Sequence, residues 1–365
     1  MKSEKKHKLI EALSEAQKIA FSPLAFQAVN CLIELNILNE IDSNPQTKKE
    51  LQDKLNLSDY ILTTLLEVAL INKIVEKKEE KFYITHIGEA LLYDEMTRVN
   101  FNFTKDVCYL GANKLKESFL SETPFGIKEI FKEAKTIYPY ISKLPDKMKK
   151  SWYEFDHYYS DNCFDIIYKM ITPISKITDI GANTGKFEKV VLKNNPNQDI
   201  LMVDLPENIE IIKNDPELSN CNFFETDILD EKQDLPKLSG AVFMSQFLDC
   251  FSKEQIKLIL NKIYKASSSD IKVYILEPLI DRQKFEGAKY SIIHTSLYFT
   301  CMANGKSKMY NYSDFEELIN ETGFEIKNSY DGLGAHDYTL IECVIKKWKN
   351  GFNCLNAPQA KNAFF

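Results

Sequence analysis

The sequence lacks the features that mark membrane and exported proteins. Its 365 residues contain no run of about eighteen apolar residues, the length that a membrane-spanning helix requires. The first stretch, "MKSEKKHKLIEALSEAQ", has no apolar core of the kind that a signal peptide carries. We therefore expect a cytoplasmic location and no membrane partner.

Paired cysteines and an excess of positive charge are missing as well. The eight cysteines are scattered along the chain, and none forms a CxxC pair. Neither a zinc site nor a disulfide framework is expected, so we predict reduced thiols and no metal. The net charge of −7 argues against nucleic acid as a partner, because phosphate binding needs a basic face.

The first hundred residues have a helical pattern. Residues 8–41 predict a helix, and its part "PLAFQAVNCLIELNILNEI" is apolar on most faces and therefore buried, against its own chain or another. Residues 40–95 predict a winged helix, in which Ser58 caps the second helix after a tight turn. That helix, "SDYILTTLLEVALINK", has no Lys or Arg before Lys73, although such side chains read DNA. The winged helix is therefore predicted to serve dimerisation.

From about residue 174 strands alternate with helices, which predicts an α/β domain with a parallel sheet. The capping box "SKEQ" starts one of these helices directly after Ser252. The predicted strands are 176–180, 200–204, 221–225, 240–245, 271–276, 323–328 and 338–345. The predicted helices lie near 185–195, 206–214, 253–266, 286–303 and 313–321. The expected divisions are a winged-helix domain at 1–105, a helical connector at 106–170, a catalytic domain at 171–348 and a tail at 349–365.

A glycine-rich turn follows the first strand of the α/β domain, in "DIGANTGKF". Gly181 and Gly185 let the backbone approach a nucleotide, and Asn183 tolerates left-handed backbone better than most residues. A dinucleotide fingerprint would need glycine at positions 183 and 186, which are Asn and Lys here. The turn therefore disfavours NAD and predicts another nucleotide cofactor.

Two further acidic residues stand where an adenosine would need them. Asp204 ends the second strand, where a carboxylate can accept hydrogen bonds from both ribose hydroxyls. Asp227 follows the third strand and can accept from the adenine amine, with Ile228 against the ring. Because each of these residues follows a strand, the set predicts one adenosine-binding edge of the sheet.

With these motifs the chain resembles the S-adenosylmethionine-dependent small-molecule O-methyltransferases that carry an N-terminal winged-helix dimerisation domain. The caffeate and hydroxyneurosporene types belong to this family. The resemblance covers roughly residues 15–345. Its further matches are "VDLPENIE", "ETDI", "SKEQIKLILNKIYKA", "VYILEPLI" and "TGFEIKNSY", while "FDHYYSDNCF" and "NGKSKMY" are similar to a bacterial branch.

The resemblance implies a Rossmann-like class I methyltransferase sheet, a homodimer and S-adenosyl-L-methionine as cofactor. It implies in-line methyl transfer, most often to oxygen, on a small aromatic, phenolic or polyketide-like acceptor. The cofactor-binding residues that it implies are Asp179, Gly181, Asn183, Gly185, Asp204, Leu205, Asp227, Ile228 and Ser245. The aromatic wall expected for the acceptor is Trp152, Phe155, His157, Tyr158, Tyr298 and Phe299.

The chain departs from the family at the catalytic base. Where the plant enzymes carry a histidine this sequence has Asp249, followed by Cys250, and their orienting glutamate is matched by Glu277. Ser245 stands in place of a lysine that helps to hold the cofactor carboxylate. Asp249 could be the base only if its pKa were raised far above 3.9, because a phenol ionises near 10.

Other interpretations stay open. Alignment of an easily ionised acceptor can drive transfer without a base. Another side chain can serve, with His294, His157, Tyr298 and His336 as candidates. The catalytic residues predicted are Asp249, Glu277 and His294. Methylation of a ring carbon beside a phenol, a cofactor-bound relative that does not methylate, and a ligand-sensing regulator remain as alternatives.

Overall fold

The computed structural model describes residues 2–347, with side chains for all of them except residues 2–7 and 160. The predicted tail at 349–365 lies outside the described residues. The described part of the chain divides into two compact units, with the boundary between Phe101 and Asn102. Among the described residues no single helix has the length and apolarity of a membrane span, although a pair formed by residues 8–34 and Ile37–Ser43, bent by 59°, does so together.

The first unit has the predicted order of helix, tight turn, helix and hairpin. Ser58 caps the second helix by accepting a hydrogen bond from Ile61 N at 3.3 Å, as predicted. Its three strands pair in the order β1-β3-β2. The elements are α1 Lys2–Glu34, α2 Ile37–Ser43, β1 Gln46–Thr47, α3 Lys48–Leu55, α4 Asp59–Ile71, β2 Val75–Lys78, β3 Lys81–Ile84, α5 His86–Tyr93 and α6 Glu95–Phe103.

The prediction of one helix over residues 8–41 is wrong. Asn36 adopts a left-handed conformation with φ of 62°, which ends α1 and turns the chain into α2. After this break Ile37, Leu38 and Ile41 enter the core of the unit. The N-terminal part of α1 exposes a series of large apolar side chains, namely Leu9, Ile10, Leu13, Ile19, Phe21 and Leu24.

The second unit begins with helical segments and continues into a seven-stranded sheet. Its strands are β4 Lys176–Ile180, β5 Asp199–Asp204, β6 Asn222–Glu225, β7 Ala241–Ser245, β8 Lys272–Glu277, β9 Phe324–Leu333 and β10 Tyr338–Ile345. Its helices are α7 Leu115–Ser121, α8 Asp146–Ser160, α9 Phe164–Ile171, α10 Lys186–Asn194, α11 Pro206–Ile212, α12 Lys253–Ala266, α13 Glu286–Tyr298 and α14 Tyr312–Asn320. The capping box at Ser252 and Gln255 forms as predicted.

The strand order is β6-β5-β4-β7-β8-β10-β9. The first five strands are parallel, as predicted, but β10 runs antiparallel to both β8 and β9. The short connection between Leu333 and Tyr338 explains the correction, because so few residues can join only antiparallel neighbours. Buried apolar clusters lie on both faces of the sheet. The strand order reverses between β4 and β7, which opens a crevice at the carboxyl ends of these strands.

Candidate functional site

A cavity of about 310 Å³ lies at this crevice, a volume at the lower end of the range for small-molecule sites. The loops after β4, β5 and β6, with the first residues after β7, form one end. The other end is formed by α8, the segment near residue 138 and the later residues of the loop after β7. Of the predicted cofactor residues, the following line it: Asp179, Gly181, Asn183, Asp204, Leu205, Asp227, Ile228 and Ser245. Gly185 is not among its lining residues.

The glycine turn after β4 leaves no room for side chains at its two glycines. Gly181 has φ of +86°, and a Cβ there would lie 2.2 Å from the Phe247 ring. Gly185 has φ of +74°, and its Cβ would lie 2.3 Å from Leu218. Asn183, with φ of 49°, occupies the left-handed region between them. At Gly181 the turn therefore brings bare backbone to the cavity surface.

Asp204 is held in place by three hydrogen bonds. Its Oδ2 accepts from Asn183 N at 2.8 Å, while Oδ1 accepts from Leu205 N at 2.7 Å and from Asn208 Nδ2 at 2.8 Å. Burial raises the pKa of this carboxyl above its usual value, and these bonds oppose the shift. Since a carboxylate has about four acceptor positions, roughly one remains for a ribose hydroxyl unless Asn208 turns away.

The remaining surfaces of this end also fit an adenosine that carries an amino-acid tail. Asp227 is exposed, next to the buried Ile228, so a carboxylate and an apolar side chain are offered side by side. Ser245 Oγ is buried and has no hydrogen-bond partner among the described residues. Such an orphaned hydroxyl is costly unless a ligand or water satisfies it. The donor and acceptor groups therefore match the cofactor implied by the sequence.

A buried carboxyl pair lies beneath the same end. Asp179 lines the cavity, and Glu188, on the first turn of α10, is only 1% exposed. Burial raises the pKa of Asp179 well above its usual value, and the neighbouring Glu188 adds to the rise. The pKa of Glu188 is raised by burial as well. Two such groups share a proton more easily than they ionise together.

The other end of the cavity is aromatic with a polar floor. Tyr138, Trp152 and Phe251 contribute rings to its lining. Asn304 Nδ2 donates to Tyr138 OH at 3.0 Å and to Cys250 O at 2.8 Å. Burial raises the pKa values of Tyr138 and of the Cys250 thiol well above their usual values. Cys250 is therefore a neutral thiol and a poor nucleophile.

Asp156 is a lining residue that sequence reasoning missed. It lies on α8, and its Oδ2 accepts from Asn183 Nδ2 at 2.8 Å, which joins α8 to the glycine turn. Burial raises the pKa of Asp156 to about 6. The neighbouring His157 has its pKa raised by Asp161, whose Oδ2 lies 3.6 Å from His157 Nδ1. The available signal was an acidic residue directly before the predicted His157, inside an aromatic run. Lys186 and Asn208 also line the cavity and were not predicted.

The structure brings none of the three catalytic candidates to the cavity surface. Asp249 lies in a short 3-10 turn, is 4% exposed, and its Oδ1 has no hydrogen-bond partner among the described residues. Glu277 Oε1 accepts from Leu248 N at 3.0 Å, so this carboxyl holds the backbone of the turn. His294 was expected to face the acceptor, but it is exposed on α13, where it stacks on Tyr290.

Burial governs the ionisation of the two inward carboxyls. It raises the pKa of Asp249 to about 7, and it raises that of Glu277 well above its usual value, with Asp249 as the next cause. The geometry of the short 3-10 turn explains why the side chain of Cys250, and not that of Asp249, lines the cavity. In the short turn consecutive side chains point to different sides, so adjacent positions have different surroundings.

Of the predicted aromatic wall, Trp152 and His157 line the cavity. The other members lie behind it as packing. Trp152 Nε1 donates to Tyr298 OH at 2.7 Å, and Phe155 stacks on Phe103 with ring centroids 3.8 Å apart. Phe299 is buried in the same apolar cluster. Tyr158 packs against Tyr159 and His336.

This geometry agrees with the comparisons with known proteins. A family model described as an O-methyltransferase domain matches residues 116–325, which is more than half of the chain. A second model, described as a Dimerisation2-like domain, matches residues 14–82. The chain therefore belongs to the O-methyltransferase domain family. It is an S-adenosylmethionine-dependent small-molecule methyltransferase, and the predicted family, enzyme class and cofactor are confirmed.

Individual relatives are distant. The chain is 21% identical over 321 residues to an L-tyrosine C(3)-methyltransferase of Streptomyces lavendulae, covering 84% of this chain and 85% of the relative. Its fold resembles that of the mitomycin 7-O-methyltransferase MmcR, with a TM-score of 0.69, 15% identity, and coverage of 93% and 100%. It also resembles the S-adenosylmethionine-dependent methyltransferase SibL, with a TM-score of 0.68, 19% identity, and coverage of 92% and 100%. These likenesses confirm the predicted fold class.

Proposed function

We propose that this methyltransferase acts on a small phenolic, aromatic or polyketide-like acceptor, with oxygen as the methylated atom. The observation that carries the proposal is that the aromatic end and the cofactor end belong to one cavity. Flat rings pack well against Tyr138, Trp152 and Phe251, because aromatic pairs gain stacking energy beyond their buried area. The polar floor at Asn304 is held by bonds within the protein, because its Nδ2 donates to Tyr138 OH, Cys250 O and Ser307 Oγ, so it fixes the shape of the aromatic end.

S-adenosylmethionine, when bound, supplies an electrophilic methyl group. We propose that Asp204 accepts from its ribose and Asp227 from its adenine amine, while Ile228 packs on the adenine. The backbone at Gly181, the Asp179 carboxyl and the Ser245 hydroxyl then face the amino-acid part. The buried, orphaned Ser245 Oγ supports this assignment. In this arrangement the chain contributes mainly orientation of donor and acceptor, which can lower a barrier by roughly 7–11 kcal/mol.

A ring carbon is the second candidate for the methylated atom. The position of the family's histidine base carries Asp249, which does not face the cavity. In transfer to a ring carbon beside a phenol, the carbon–sulfur bond of the methyl donor would break as the new carbon–carbon bond forms. The ring proton would then be released to water, so a strong base next to the phenol oxygen is not needed. The relative named as a tyrosine C(3)-methyltransferase supports this alternative.

Assembly as a homodimer belongs to the proposal as well. The match to a dimerisation domain and the exposed apolar side chains of α1, such as Ile19, Phe21 and Leu24, support it. Burying such a surface against a second copy should remove more than about 2,000 Å² in total from water. Light scattering at micromolar concentration is expected to give the dimer mass, and a monomer mass would contradict this part of the proposal.

We also propose a cytoplasmic place in natural-product biosynthesis. Free thiols at all the cysteines that the structure describes fit a reducing compartment. The structural neighbour named as a mitomycin methyltransferase supports the natural-product role. Cell fractionation would test the cytoplasmic location. Comparison of the small molecules in extracts of cells with and without the protein would test the role in natural-product biosynthesis.

Product analysis tests the acceptor class. The protein is incubated with S-adenosylmethionine labelled with ¹³C at its methyl group and with a panel of phenols, aliphatic alcohols and amines. Label should appear in phenols, and the ¹³C chemical shift separates a methoxyl from a ring methyl. Asp204→Ala serves as the matched control with an impaired cofactor end. Transfer confined to alcohols or amines would contradict the proposal, as would no transfer by a protein that binds S-adenosylhomocysteine.

A further inference from the structure

A second cavity, of about 520 Å³, adjoins the aromatic end of the first cavity in the same unit of the chain. The proposed function assigns this aromatic end to the acceptor, and we call it the acceptor end. We call it the lysine cavity, since four lysines contribute to its lining. Its charged residues are Lys128, Lys132, Lys135, Lys306, Glu122 and Glu133. This excess of positive charge is local, because the whole chain carries a net charge of −7.

Two of the lysines are already engaged, and two are available. Lys306 Nζ lies 3.5 Å from Glu122 Oε2. Lys128 Nζ lies 4.3 Å from the centroid of the Phe125 ring. Lys132 and Lys135, by contrast, have no ion pair or hydrogen bond of their ammonium groups with any residue in the part of the chain that the structure describes. The lysine cavity therefore presents two cations that an anionic ligand can pair with.

The lysine cavity borders the acceptor end. Thr136, Gln255 and Asn304 line both cavities. Asn304 connects them most directly, because its Nδ2 donates to Tyr138 OH while its Oδ1 accepts from Lys306 N at 2.9 Å. One side chain thus forms the floor under the aromatic end and fixes the loop that carries Lys306. The shared lining therefore places the lysine cavity next to the aromatic rings.

We propose that the lysine cavity binds an anionic group that is attached to the acceptor, a phosphate or a carboxylate placed several bonds from the methylated ring. The inference rests on the proposed function, since it assigns the ring to the aromatic end. A neutral phenol would fill only the aromatic end and leave Lys132 and Lys135 without a partner. An acceptor with an anionic arm pairs with them, and such pairing also raises the local concentration of the ligand at the lysine cavity.

Calorimetric titration tests the lysine cavity without knowledge of the acceptor. Pyrophosphate and isophthalate are titrated separately, at low salt, into the protein saturated with S-adenosylhomocysteine. At least one of them should bind. The double variant Lys132→Gln/Lys135→Gln should bind it about tenfold more weakly, because each exposed charge pair contributes modestly and two are lost. Binding of pyrophosphate alone identifies a phosphate arm, and binding of isophthalate alone identifies a carboxylate arm.

The matched control is Lys237→Gln/Lys265→Gln, which removes the same charge from two exposed lysines that line neither cavity. This control should stay within about twofold of the unaltered protein, since its charges lie away from the ligand. Equal losses in both double variants, or no binding of either anion, would overturn the inference. S-adenosylhomocysteine affinity, measured on each preparation, verifies folding. If the protein binds S-adenosylhomocysteine but neither anion, the proposed anion binding by the lysine cavity is refuted and the proposed function is left intact.

Discussion

The cofactor end and the acceptor end of the cavity are built from different kinds of element. Loops that follow parallel strands form the cofactor end, and the hydrogen bonds of the sheet fix their positions. Helical segments form much of the acceptor end, where the side chains of Tyr138, Trp152 and Cys250 provide the surface. Strand ends keep a geometry that one ligand needs, whereas side chains on helical segments can change with the acceptor. The cofactor end is therefore built for one fixed ligand, whereas the acceptor end is built from positions at which the acceptor specificity can change.

The largest effect is expected at the cofactor end. Asp204→Ala removes a carboxylate that would accept from the ribose, and it releases Asn183 N, Leu205 N and Asn208 from their present bonds. Loss of charge-assisted hydrogen bonds of this kind costs about 1.5–3 kcal/mol. S-adenosylhomocysteine affinity measured by calorimetry should therefore fall by roughly one to two powers of ten.

Asp199→Ala is the matched control for this substitution. Asp199 begins the same strand at its opposite end and is exposed there. Its loss should leave cofactor affinity within about twofold, because it lies a whole strand away from the crevice. If Asp204→Ala binds S-adenosylhomocysteine with unchanged affinity, the assignment of Asp204 to the ribose is wrong. If both variants lose the same affinity, the cause is damage to β5 and not the loss of a contact with the cofactor.

The cofactor end could be predicted because its residues are tied to strand boundaries. The apolar runs locate the ends of β4, β5 and β6, and parallel strands bring their carboxyl ends to one edge. Gly181, Asp204 and Asp227 therefore had to lie close together, whatever the details of the helices. The antiparallel direction of β10 was missed, since it depends on the length of the turn before Tyr338 and not on the strand pattern.

The acceptor end could not be predicted in the same way. Its surface depends on which side of a short turn or helix each side chain takes, and the sequence pattern does not determine this. Asp249 and Cys250 are neighbours, yet only Cys250 lines the cavity. His294 was placed at the acceptor from its apolar surroundings on α13, but its own side chain is exposed. Asp156 was not predicted, although it lines the cavity and its Oδ2 accepts from Asn183 Nδ2.

The smallest effect on turnover is expected at Asp249. A small effect there would show that the acceptor end contributes orientation and not a general base. Asp249→Asn keeps the shape of the side chain and removes a possible base. We expect kcat to fall by no more than roughly tenfold, because Asp249 does not line the cavity and alignment can carry the reaction. Loss of a true general base would cost about a hundred- to ten-thousand-fold. Asp156→Asn, which changes a carboxylate that does line the cavity, should lower kcat more.

A second measurement separates a buried structural carboxyl from a catalytic one. Burial raises the pKa of Asp249 from 3.8 to about 7, so the folded protein holds a proton that the unfolded chain releases above about pH 4. The stabilisation from this proton is complete below the unfolded pKa and is lost as pH rises through about 7. An asparagine side chain cannot ionise, so Asp249→Asn should gain thermal stability relative to the original protein as pH rises from about 5 to about 8. A thousand-fold loss of kcat, with cofactor affinity intact and no such gain, would make Asp249 the base after all, reached by a rearrangement of its turn.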